Sequence, residues 1–388
     1  MKKAGIMLLL CGAMVYAVIL VLPQPVAAEE PETPSRADHA DTVRLIFAGD
    51  VMGHGMQITG AWHDGGDTAY NYHPVFQYVK EYIMSADAAF ANLEVTLARA
   101  PYTGYPQFSS HFSLASALQD AGFDVLTTAN NHSLDRGKQG LERTIDVLDS
   151  IGMAHTGTFK DSAAWSSDYP LQVERNGFKF ALLNYTYGTN GFATESPNVI
   201  NRIDTIRMAA DLAKAASLQP DGVIAFLHWG EEYKNTENTI QRQLSGFLAR
   251  HGCHLIVGAH PHVVQPFDKI PTANGDSVPV IYSMGNFVSN QRDRYRNGGI
   301  ALDVVFVKTA DTLRMISCGY EPFWVYRFRH NGVSVFRLIP INDAVLHPEK
   351  YNIDGENQQL MMLFYNDTRQ LLSRLPFSGY FRTDTIPR

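Results

Sequence analysis

Cysteine and net positive charge are both scarce in this chain of 388 residues. It has three cysteines, and its 32 Lys and Arg residues against 39 Asp and Glu give a formal net charge of −7. Only two cysteines lie beyond the N-terminal segment, which is too few for disulfide bonds to stabilise a fold of this length. Its stability must therefore come from a buried core. A disulfide between Cys253 and Cys318 stays an open alternative. The acidic balance, without a basic run, argues against nucleic acid as a partner.

The composition is that of a globular protein and excludes a disordered one. Hydrophobic residues make up 45% of the chain and charged residues 18%, which is enough apolar material to bury a core. The unusual count is that of the histidines, of which there are 14. Composition does not distinguish scattered surface imidazoles from metal ligands, so the positions of these histidines have to decide.

The N-terminal segment has the features of a secretory signal. Two lysines precede an apolar stretch at 6–22, and small residues at 26–28 offer a cleavage site. An uncleaved membrane anchor is the alternative, because the stretch approaches the length of a short membrane span. We expect residues 1–28 to be a signal peptide or N-terminal anchor and residues 29–42 a flexible linker. The folded part is then exported, to the periplasm or the cell surface.

Six short apolar runs are each followed directly by polar residues of the kinds used in catalysis. The runs lie at 44–48, 88–91, 124–128, 222–227, 255–257 and 280–283. The polar residues at their ends include Asp50, Asn92, Glu94, Asn131, His132, His228, His260, His262 and Asn286. Any one of these ends, taken alone, fits simple turn chemistry.

Helical patterns between several of the runs predict an α/β fold. They cover 75–84, 114–121, 205–216 and Thr239–Arg250, and Ser133 or Asp135 is expected to cap a further helix that carries Leu141, Ile145 and Leu148. In such folds the carboxyl ends of the strands gather at one edge of the sheet, where ligands bind. We therefore expect the six polar ends to converge.

The histidines at these ends indicate a metal site. His260 and His262 stand one residue apart after a buried run, and a buried imidazole needs partners for both nitrogens. Imidazole with carboxylate and amide oxygen, and no thiolate, suits Mn, Fe or Zn. The candidate donors exceed what one centre usually takes, so two divalent ions are expected, with a bridging carboxylate such as Asp50.

The ordered motifs resemble a known family. They are Asp50-Val51-Met52, Asn92-Leu93-Glu94, 130–137 (Asn-Asn-His-Ser-Leu-Asp-Arg-Gly), 228–233 (His-Trp-Gly-Glu-Glu-Tyr), 258–266 (Gly-Ala-His-Pro-His-Val-Val-Gln-Pro) and 282–287 (Tyr-Ser-Met-Gly-Asn-Phe). Together they resemble the CapA family of poly-gamma-glutamate capsule synthesis proteins, a divergent branch of the calcineurin-like metallophosphatases. The resemblance implies an α/β fold, a calcineurin-like metallophosphatase sandwich of two mixed β-sheets flanked by helices. This domain is expected at 43–340, with a C-terminal helical segment at 341–388 packing on it.

The resemblance also implies roles for single residues. His132 matches a histidine that acts on the leaving group, and the implied metal ligands are Asp50, Glu94, Asn131, His228, His260 and His262. Two positions depart from the metallophosphatase pattern. Met52 stands where those enzymes carry a histidine, for which His54 is a doubtful substitute, and Glu94 stands where they carry an aspartate.

Further candidates surround this set. Asp135 and Arg136 are expected to orient His132 or bind a substrate anion, with helix-end polarity as the alternative. Asn92, Glu231 and Asn286 are the candidate substrate contacts, and Glu231 is also a candidate to fix an imidazole tautomer. Three arginines at 292, 294 and 296 form either a basic patch for an anionic polymer or an ordinary solvated loop.

Two functions of different classes follow. The first is a metal-dependent hydrolase or transferase acting on an anionic cell-envelope substrate, either a phosphoester or a gamma-linked glutamyl polymer. The second is a non-catalytic assembly or export factor that binds a polymer in the same cleft. Expected partners are the anionic substrate, the membrane if the N-terminus is uncleaved, and other capsule-synthesis proteins.

Overall fold

The structure is a computed structural model, which describes residues 42–309 and 312–380. The predicted signal segment at 1–28 and the linker as far as residue 41 lie outside the described residues. Within the described ranges no helix is long and apolar enough to cross a membrane. Cys253 and Cys318 are both free thiols, so the open alternative of a disulfide between them is wrong.

Sixteen strands form in the described ranges. In chain order they are β1 (Thr42–Val51), β2 (Ala88–Leu93), β3 (Val125–Thr127), β4 (Ala154–Thr156), β5 (Thr158–Phe159), β6 (Leu171–Arg175), β7 (Phe178–Thr186), β8 (Val199–Ile200), β9 (Gly222–His228), β10 (Leu255–Ala259), β11 (Phe267–Pro271), β12 (Ser277–Ile281), β13 (Asn286–Val288), β14 (Gly298–Lys308), β15 (Leu313–His330) and β16 (Val333–Pro340).

Helices connect and flank the strands. In the described ranges they are α1 (Gly55–Asp64), α2 (His73–Phe76), α3 (Lys80–Met84), α4 (Ser113–Asp120), α5 (Gly137–Ser150), α6 (Ser162–Asp168), α7 (Thr205–Ser217), α8 (Thr239–Arg250), α9 (Ile341–Leu346) and α10 (Gly355–Leu371), with a 3₁₀ turn at Pro348–Lys350.

The strands form two large mixed sheets. The first has the order β16-β15-β14-β1-β2-β3-β4, with β13 beside the end of β1, and the second has the order β11-β12-β10-β9-β7-β6. Strands β1 to β4 run parallel to one another, as do β7, β9, β10 and β12, while β14 to β16, β6 and β11 pair antiparallel. Two mixed sheets with flanking helices confirm the predicted fold class.

Alternation along the strands sorts side chains into three apolar layers. On β1, Leu45 and Phe47 enter a core shared with Phe226 and Val257 of the second sheet, so this core lies between the sheets. Ile46, the intervening residue, packs in a separate cluster with side chains of α2, α3 and α4. A third cluster covers the outer face of the second sheet with α7 and α8. Both faces of each sheet are thus buried, which explains why the strands appear in the sequence as continuous apolar runs.

Two of the helix predictions need correction. The pattern at 75–84 forms two short helices, α2 and α3. Helix α5 begins at Gly137, and Arg136 at its N-cap makes no side-chain capping bond. Neither predicted cap serves it: Ser133 bonds instead to the Thr128 and Asn130 carbonyls, and the Asp135 carboxylate accepts from the His132 ring. By contrast α8 has the predicted bounds, and Asn238 and Gln241 form a capping box at its start.

The C-terminal region packs into the same core. His330-Asn331-Gly332 between two strand-like segments predicts a hairpin turn. It is confirmed, since β15 and β16 pair antiparallel from His330 opposite Val333. The sequence at 358–375 predicts an amphipathic helix with Leu360, Leu363, Leu371 and Leu372 inward. Leu372 is buried, but the prediction is wrong for Leu360 and Leu363, which are each 39% exposed. Met361, Phe364 and Tyr365 are buried there instead and join the core between the sheets.

Candidate metal centre

The predicted polar ends of the strands meet at one place between the two sheets. Asp50 lies near the end of β1, Glu94 directly after β2, and Asn131 after β3. From the second sheet, His228 ends β9, and His260 and His262 follow β10. All six side chains are buried, with exposures between 0 and 3%. Their convergence follows from the parallel strands, whose carboxyl ends share one edge.

Asp50 is held as an anion by its neighbours. Its Oδ1 accepts a hydrogen bond from Asn92 Nδ2 at 2.8 Å, and its Oδ2 lies 3.0 Å from His262 Nδ1 and accepts from the His260 backbone N–H at 3.2 Å. Burial by itself raises the pKa of Asp50, but the bonds from His262 and Asn92 outweigh it and lower the pKa below its usual range.

Glu94 has no comparable support. Both of its carboxylate oxygens are buried and neither accepts a hydrogen bond from any described residue. Burial, together with the nearby charge of Asp50, raises its pKa well above the usual range. His228 Nε2 lies 3.4 Å from Glu94 Oε1, and His262 Nε2 lies 3.7 Å from the same atom. An uncompensated buried carboxylate beside imidazoles is the environment that a divalent cation satisfies.

The ligand atoms fall into two groups that share Glu94. One consists of Glu94, His260 and His262, the other of Asp50, Glu94 and His228, and within each group the candidate ligand atoms lie within 4.8 Å of one another. His260 Nδ1 is a further buried atom without a hydrogen-bond partner in the described structure. The donor set therefore fits a metal, and Glu94, rather than the predicted Asp50, is the carboxylate common to both groups.

Two of the histidines, His228 and His260, are held in the neutral form that metals bind. Burial, and then the neighbouring His260 and His262, lower the pKa of His228 well below its ordinary value. The pKa of His260 falls to about 3, mainly through burial. His260 and His262 have φ angles of 98° and 58°, a left-handed backbone that is costly for these residues. Such strain concentrates at functional sites, and here it turns both rings toward the cluster.

Asn131 is oriented by a residue that sequence reasoning missed. Its Oδ1 lies 2.8 Å from His228 Nε2, while its Nδ2 donates to Asn190 Oδ1 at 3.3 Å. The Asn190 amide also reaches His132 Nδ1, at 3.5 Å. Asn190 lies four residues after the end of β7. A rule that looks only at residues directly after apolar runs does not reach this position, so it gave no signal for Asn190.

His132 and Asp135 form a buried pair. Asp135 Oδ2 lies 2.7 Å from His132 Nδ1 and accepts the Phe108 backbone N–H at 2.6 Å. The Phe108 ring meets the His132 ring edge to face, with centroids 4.7 Å apart. A carboxylate that accepts from Nδ1 fixes the proton there and leaves Nε2 for exchange with a bound molecule.

Two of the other predicted residues lie outside the cluster. The Arg136 guanidinium donates to Pro101 O at 3.1 Å and to Thr103 Oγ1 at 2.6 Å, so it fastens a neighbouring loop. Glu231 is exposed and accepts from Asn238 Nδ2 at 3.4 Å. Gly230, with φ of 92°, turns the chain outward directly after β9.

Asn92 and Asn286 are buried supports of the cluster. Asn92 Nδ2 bridges Asp50 and His228, at 2.8 and 3.2 Å. The Asn286 amide donates to His262 O at 3.3 Å and to Arg296 O at 2.8 Å, which ties two loops to the end of β13. These hydrogen bonds explain their burial without a substrate.

Met52, which stands where the metallophosphatase pattern has a histidine, and the nearby His54 lie beside the cluster. Met52 is buried in an apolar cluster and presents no ligand to the site. His54 precedes α1, and its Nδ1 lies 3.2 Å from Gln57 Oε1 and accepts from the Asn290 N–H at 3.3 Å. Burial lowers the pKa of His54 to about 4. The His54 ring is therefore a neutral neighbour of the cluster.

Aromatic side chains lie against the histidines. The Tyr187 ring lies 4.5 Å from the His260 ring, and the Tyr233 ring 6.0 Å from the His262 ring, as centroid distances. Both tyrosines are partly exposed, at 47% and 43%. Arg296 covers Tyr233, with its guanidinium carbon 3.9 Å from the ring centroid. Tyr187 and Tyr233 therefore stand between the buried cluster and solvent.

The three arginines predicted as one patch are separated. Arg292 donates to Val325 O at 2.7 Å, Arg294 is paired with Asp367 at 2.8 Å, and Arg296 is paired with Asp293 at 3.1 Å. Of the three, it is Arg296 whose guanidinium stacks on Tyr233 next to the cluster. Of the two alternatives for these arginines, a single basic patch does not form, because each guanidinium has a different local partner.

Comparison with known proteins assigns the family. Residues 44–291 match the model of the family described as bacterial capsule synthesis protein PGA_cap. The chain belongs to this family. The resemblance carried by the six motifs is thereby confirmed, and the matched residues span every member of the cluster.

Curated relatives carry the same family name in their descriptions. The chain is 29% identical over 377 residues to the PGA biosynthesis protein CapA of Bacillus subtilis (strain 168), covering 93% of this chain and 87% of that protein. It is 27% identical over 342 residues to the capsule biosynthesis protein CapA of Bacillus anthracis, covering 84% and 74%.

Among solved structures, the chain is similar to the calcineurin-like phosphoesterase YfkN of Bacillus subtilis. The TM-score is 0.43 at 14% identity, covering 86% of this chain and 98% of that chain. It is also similar to the NAD nucleotidase of Haemophilus influenzae, with a TM-score of 0.43 at 10% identity, covering 85% and 60%.

Proposed function

We propose that this PGA_cap family member is an exported, metal-dependent hydrolase or transferase acting on an anionic cell-envelope substrate. The observation that carries the proposal is Glu94, which is common to two groups of ligand atoms and whose buried carboxylate has no hydrogen-bond partner within 42–309 and 312–380. Leaving such a carboxylate uncompensated costs several kcal/mol, so the site is built for a cation.

Two divalent ions fit the donor set. Glu94, His260 and His262 would hold one, and Asp50, Glu94 and His228 the other, with Asn131 as an additional oxygen donor. Imidazole, carboxylate and amide without thiolate favour Mn, Fe or Zn. A bound ion of this kind lowers the pKa of water and polarises a phosphoryl or carbonyl oxygen.

The protein's own residues supply proton transfer. Asp135 holds the Nδ1 proton of His132 through the 2.7 Å contact, which leaves Nε2 to deliver or take up a proton at a leaving group. Phe108 packs edge to face on the His132 ring and restrains its orientation. Arg296, stacked on Tyr233, places a cation near His262 for an anionic substrate.

The substrate class and the location rest on sequence and relatives. The N-terminal pattern of two lysines, an apolar stretch and small residues supports export, with the folded part outside the cytoplasm or anchored at the membrane. The descriptions of the curated relatives support a role in capsule biosynthesis, and PGA in one of them supports a gamma-linked glutamyl polymer beside phosphoesters. Other capsule-synthesis proteins are the expected partners.

Metal analysis followed by a substrate panel tests the proposal. We expect purified protein to contain Mn, Fe or Zn in stoichiometric amount and to turn over a phosphoester or a gamma-glutamyl substrate. His260→Ala should lose metal and reduce turnover by at least about 100-fold, because one ligand group becomes incomplete. His251→Ala, at the C-terminal end of α8, is the matched control. Protein without metal, or full turnover by His260→Ala, contradicts the proposal.

One observation favours the alternative of a non-catalytic polymer-binding factor. Met52 is buried in apolar surroundings at the position where the metallophosphatase pattern has a histidine, so one ligand of the pattern is missing. This alternative expects tight polymer binding without turnover under any metal tested. A panel with Mn, Fe and Zn therefore separates the two functions.

A further inference from the structure

A cavity of about 380 Å³ opens beside the start of α1. Its walls include Met56, Arg327 and Arg329. The cavity is connected to the metal cluster by direct contacts. Arg327 Nη1 donates to Asn290 Oδ1 at 3.1 Å, and the Asn290 N–H donates to His54 Nδ1 at 3.3 Å.

The link continues from His54 to the catalytic candidates. The His54 and Phe108 rings meet edge to face with centroids 5.1 Å apart, and Phe108 packs in the same way on His132. A continuous series of contacts therefore joins the cavity to His132.

The two arginines that line the cavity have no carboxylate partner. Arg327 and Arg329 form no ion pair with any residue in 42–309 or 312–380, and neither does Arg292, which is not part of the cavity wall. Arg329 Nη1 donates to Gly332 O at 2.6 Å, and Arg292 Nη1 to Val325 O at 2.7 Å. The protein has a net charge of −7, so carboxylates are plentiful. Arg294, in the same loop as Arg292, is paired with the carboxylate of Asp367.

The like charges affect each other. Burial, and next the charge of Arg327, lower the pKa of Arg292 to about 10. Neighbouring guanidiniums repel each other unless an anion compensates them, and guanidiniums bind carboxylate and phosphate through paired hydrogen bonds.

Two acidic residues, Asp354 and Glu356, also line the cavity, and the first of them is already hydrogen-bonded. Asp354 caps α10, accepting from the Asn357 backbone N–H at 3.0 Å and from Tyr326 OH at 3.2 Å. Glu356 is exposed in the first turn of α10. Arg327 and Arg329 therefore keep donors for a ligand, while the carboxylate of Glu356 repels an incoming anion.

We propose that this cavity is a subsite that binds an anionic group of an acidic polymer whose reacting unit lies at the metal cluster. The inference rests on the proposed function for the reacting unit. Binding at the subsite requires only the arginines. The shared ligand chemistry is a repeating anion, either a carboxylate or a phosphate.

The test is calorimetric titration of the Mn²⁺-loaded protein with two probes, a gamma-linked glutamate decamer and a glycerol phosphate oligomer of equal length. Arg327→Gln should weaken binding of at least one probe by about tenfold, the usual loss for a charge-assisted hydrogen bond. Arg327→Lys should keep part of the affinity, and Glu356→Gln should raise it. Arg294→Gln, which removes an arginine that is paired with Asp367, is the matched control and should bind as wild type.

Arg327→Gln also loses the hydrogen bond to Asn290, so thermal unfolding is measured to check that this variant is folded. If it is not folded, Arg329→Gln is the second variant for the test. The subsite is overturned if neither probe binds, or if the folded glutamine variants bind both probes as tightly as wild type. Turnover of p-nitrophenyl phosphate by the same samples separates the two proposals. If no substrate reacts but Arg327→Gln or Arg329→Gln still loses affinity for a probe, the hydrolase function fails and the subsite stands.

Discussion

At the scale of single residues, the cluster depends on side chains that are not themselves ligands. An amide ligand works only if its oxygen faces the metal, so its nitrogen needs a fixed acceptor. Asn190 provides this acceptor for Asn131 and reaches His132 with its other amide atom. Asn92 plays a similar part between Asp50 and His228.

Replacing Asn190 should therefore weaken metal binding although Asn190 is not in either ligand group. Asn190→Ala removes the acceptor for Asn131 Nδ2, and we expect metal affinity to fall by about 10 to 100-fold. The measurement is a metal titration with a competing chelator.

The conservative change separates orientation from packing. Asn190→Asp keeps an acceptor oxygen for Asn131 and should retain more affinity than Asn190→Ala. Wild-type affinity in Asn190→Ala would show that Asn131 needs no such support.

Some of these residues could be predicted from the sequence and others could not. Asp50, Glu94 and the histidines follow apolar runs, and parallel strands bring such ends together whatever the intervening loops do. Glu231 belongs to the motif that begins at His228, yet it is exposed, because Gly230 turns the chain toward solvent. Residue spacing does not encode this change of direction. The bond of Asp135 to His132, three residues away, is local and was predicted, whereas its bond from the Phe108 N–H joins residues far apart in the chain, which spacing does not encode.

At the scale of elements, the junction of β1 and β13 positions the first ligand. The Asp50 N–H donates to Gly285 O at 3.0 Å, and the pairing register shifts at this point. Gly49 allows the close approach, because a Cβ there would lie 2.0 Å from Gly285 O. A methyl group can enter only if the two strands move apart.

Gly49→Ala should therefore lower both stability and metal affinity. We expect the free energy of unfolding to fall by about 1–3 kcal/mol, the range for overpacking, and Asp50 to move with β1. Urea unfolding and metal titration measure the two effects.

Gly55→Ala is the matched control. A Cβ at Gly55, the first residue of α1, meets no atom within 4 Å, and alanine suits a helix better than glycine. Equal stability of Gly49→Ala and Gly55→Ala would contradict the role assigned to the junction.

The helices show where prediction from pattern reaches its limit. Helix α8 has the predicted bounds, and the capping box at its start is formed by Asn238 and Gln241, residues that are close in sequence. On α10 leucines at 360 and 363 were expected inside, but Phe364 and Tyr365 occupy the core instead. A helix with apolar residues on more than one face does not specify which face is buried, so the neighbouring strands decide.

At the scale of the whole molecule, Glu321 joins the sheet to the C-terminal segment. This residue of β15 is fully buried, and its Oε2 accepts from Asn342 Nδ2 at 3.0 Å and from Ser378 Oγ at 3.4 Å. Its Oε1 has no hydrogen-bond partner among the described residues. Burial raises the pKa of Glu321 to about 8, although the Asn342 amide opposes the shift.

A raised carboxyl pKa makes the folded state more stable at low pH than at high pH. The folded protein keeps the Glu321 proton up to about pH 8, whereas the unfolded chain loses it near the ordinary value of 4.5. The resulting stability is complete below the unfolded pKa and is lost as the pH rises toward the folded one. Between pH 6 and pH 9 the free energy of unfolding should fall by about 2–3 kcal/mol through this group.

Glu321→Gln should remove this part of the pH dependence, because glutamine keeps the acceptor for Asn342 and carries no titrating proton. The variant should therefore gain stability relative to wild type at pH 9, with urea unfolding at pH 6 and pH 9 as the measurement. Glu349→Gln, at a side chain that is 77% exposed, should follow the wild-type dependence. If Glu321→Gln loses as much stability over this range as wild type, Glu321 is charged in the folded protein. The joint between β15 and the C-terminal segment would then hold a buried anion instead of a neutral carboxyl group.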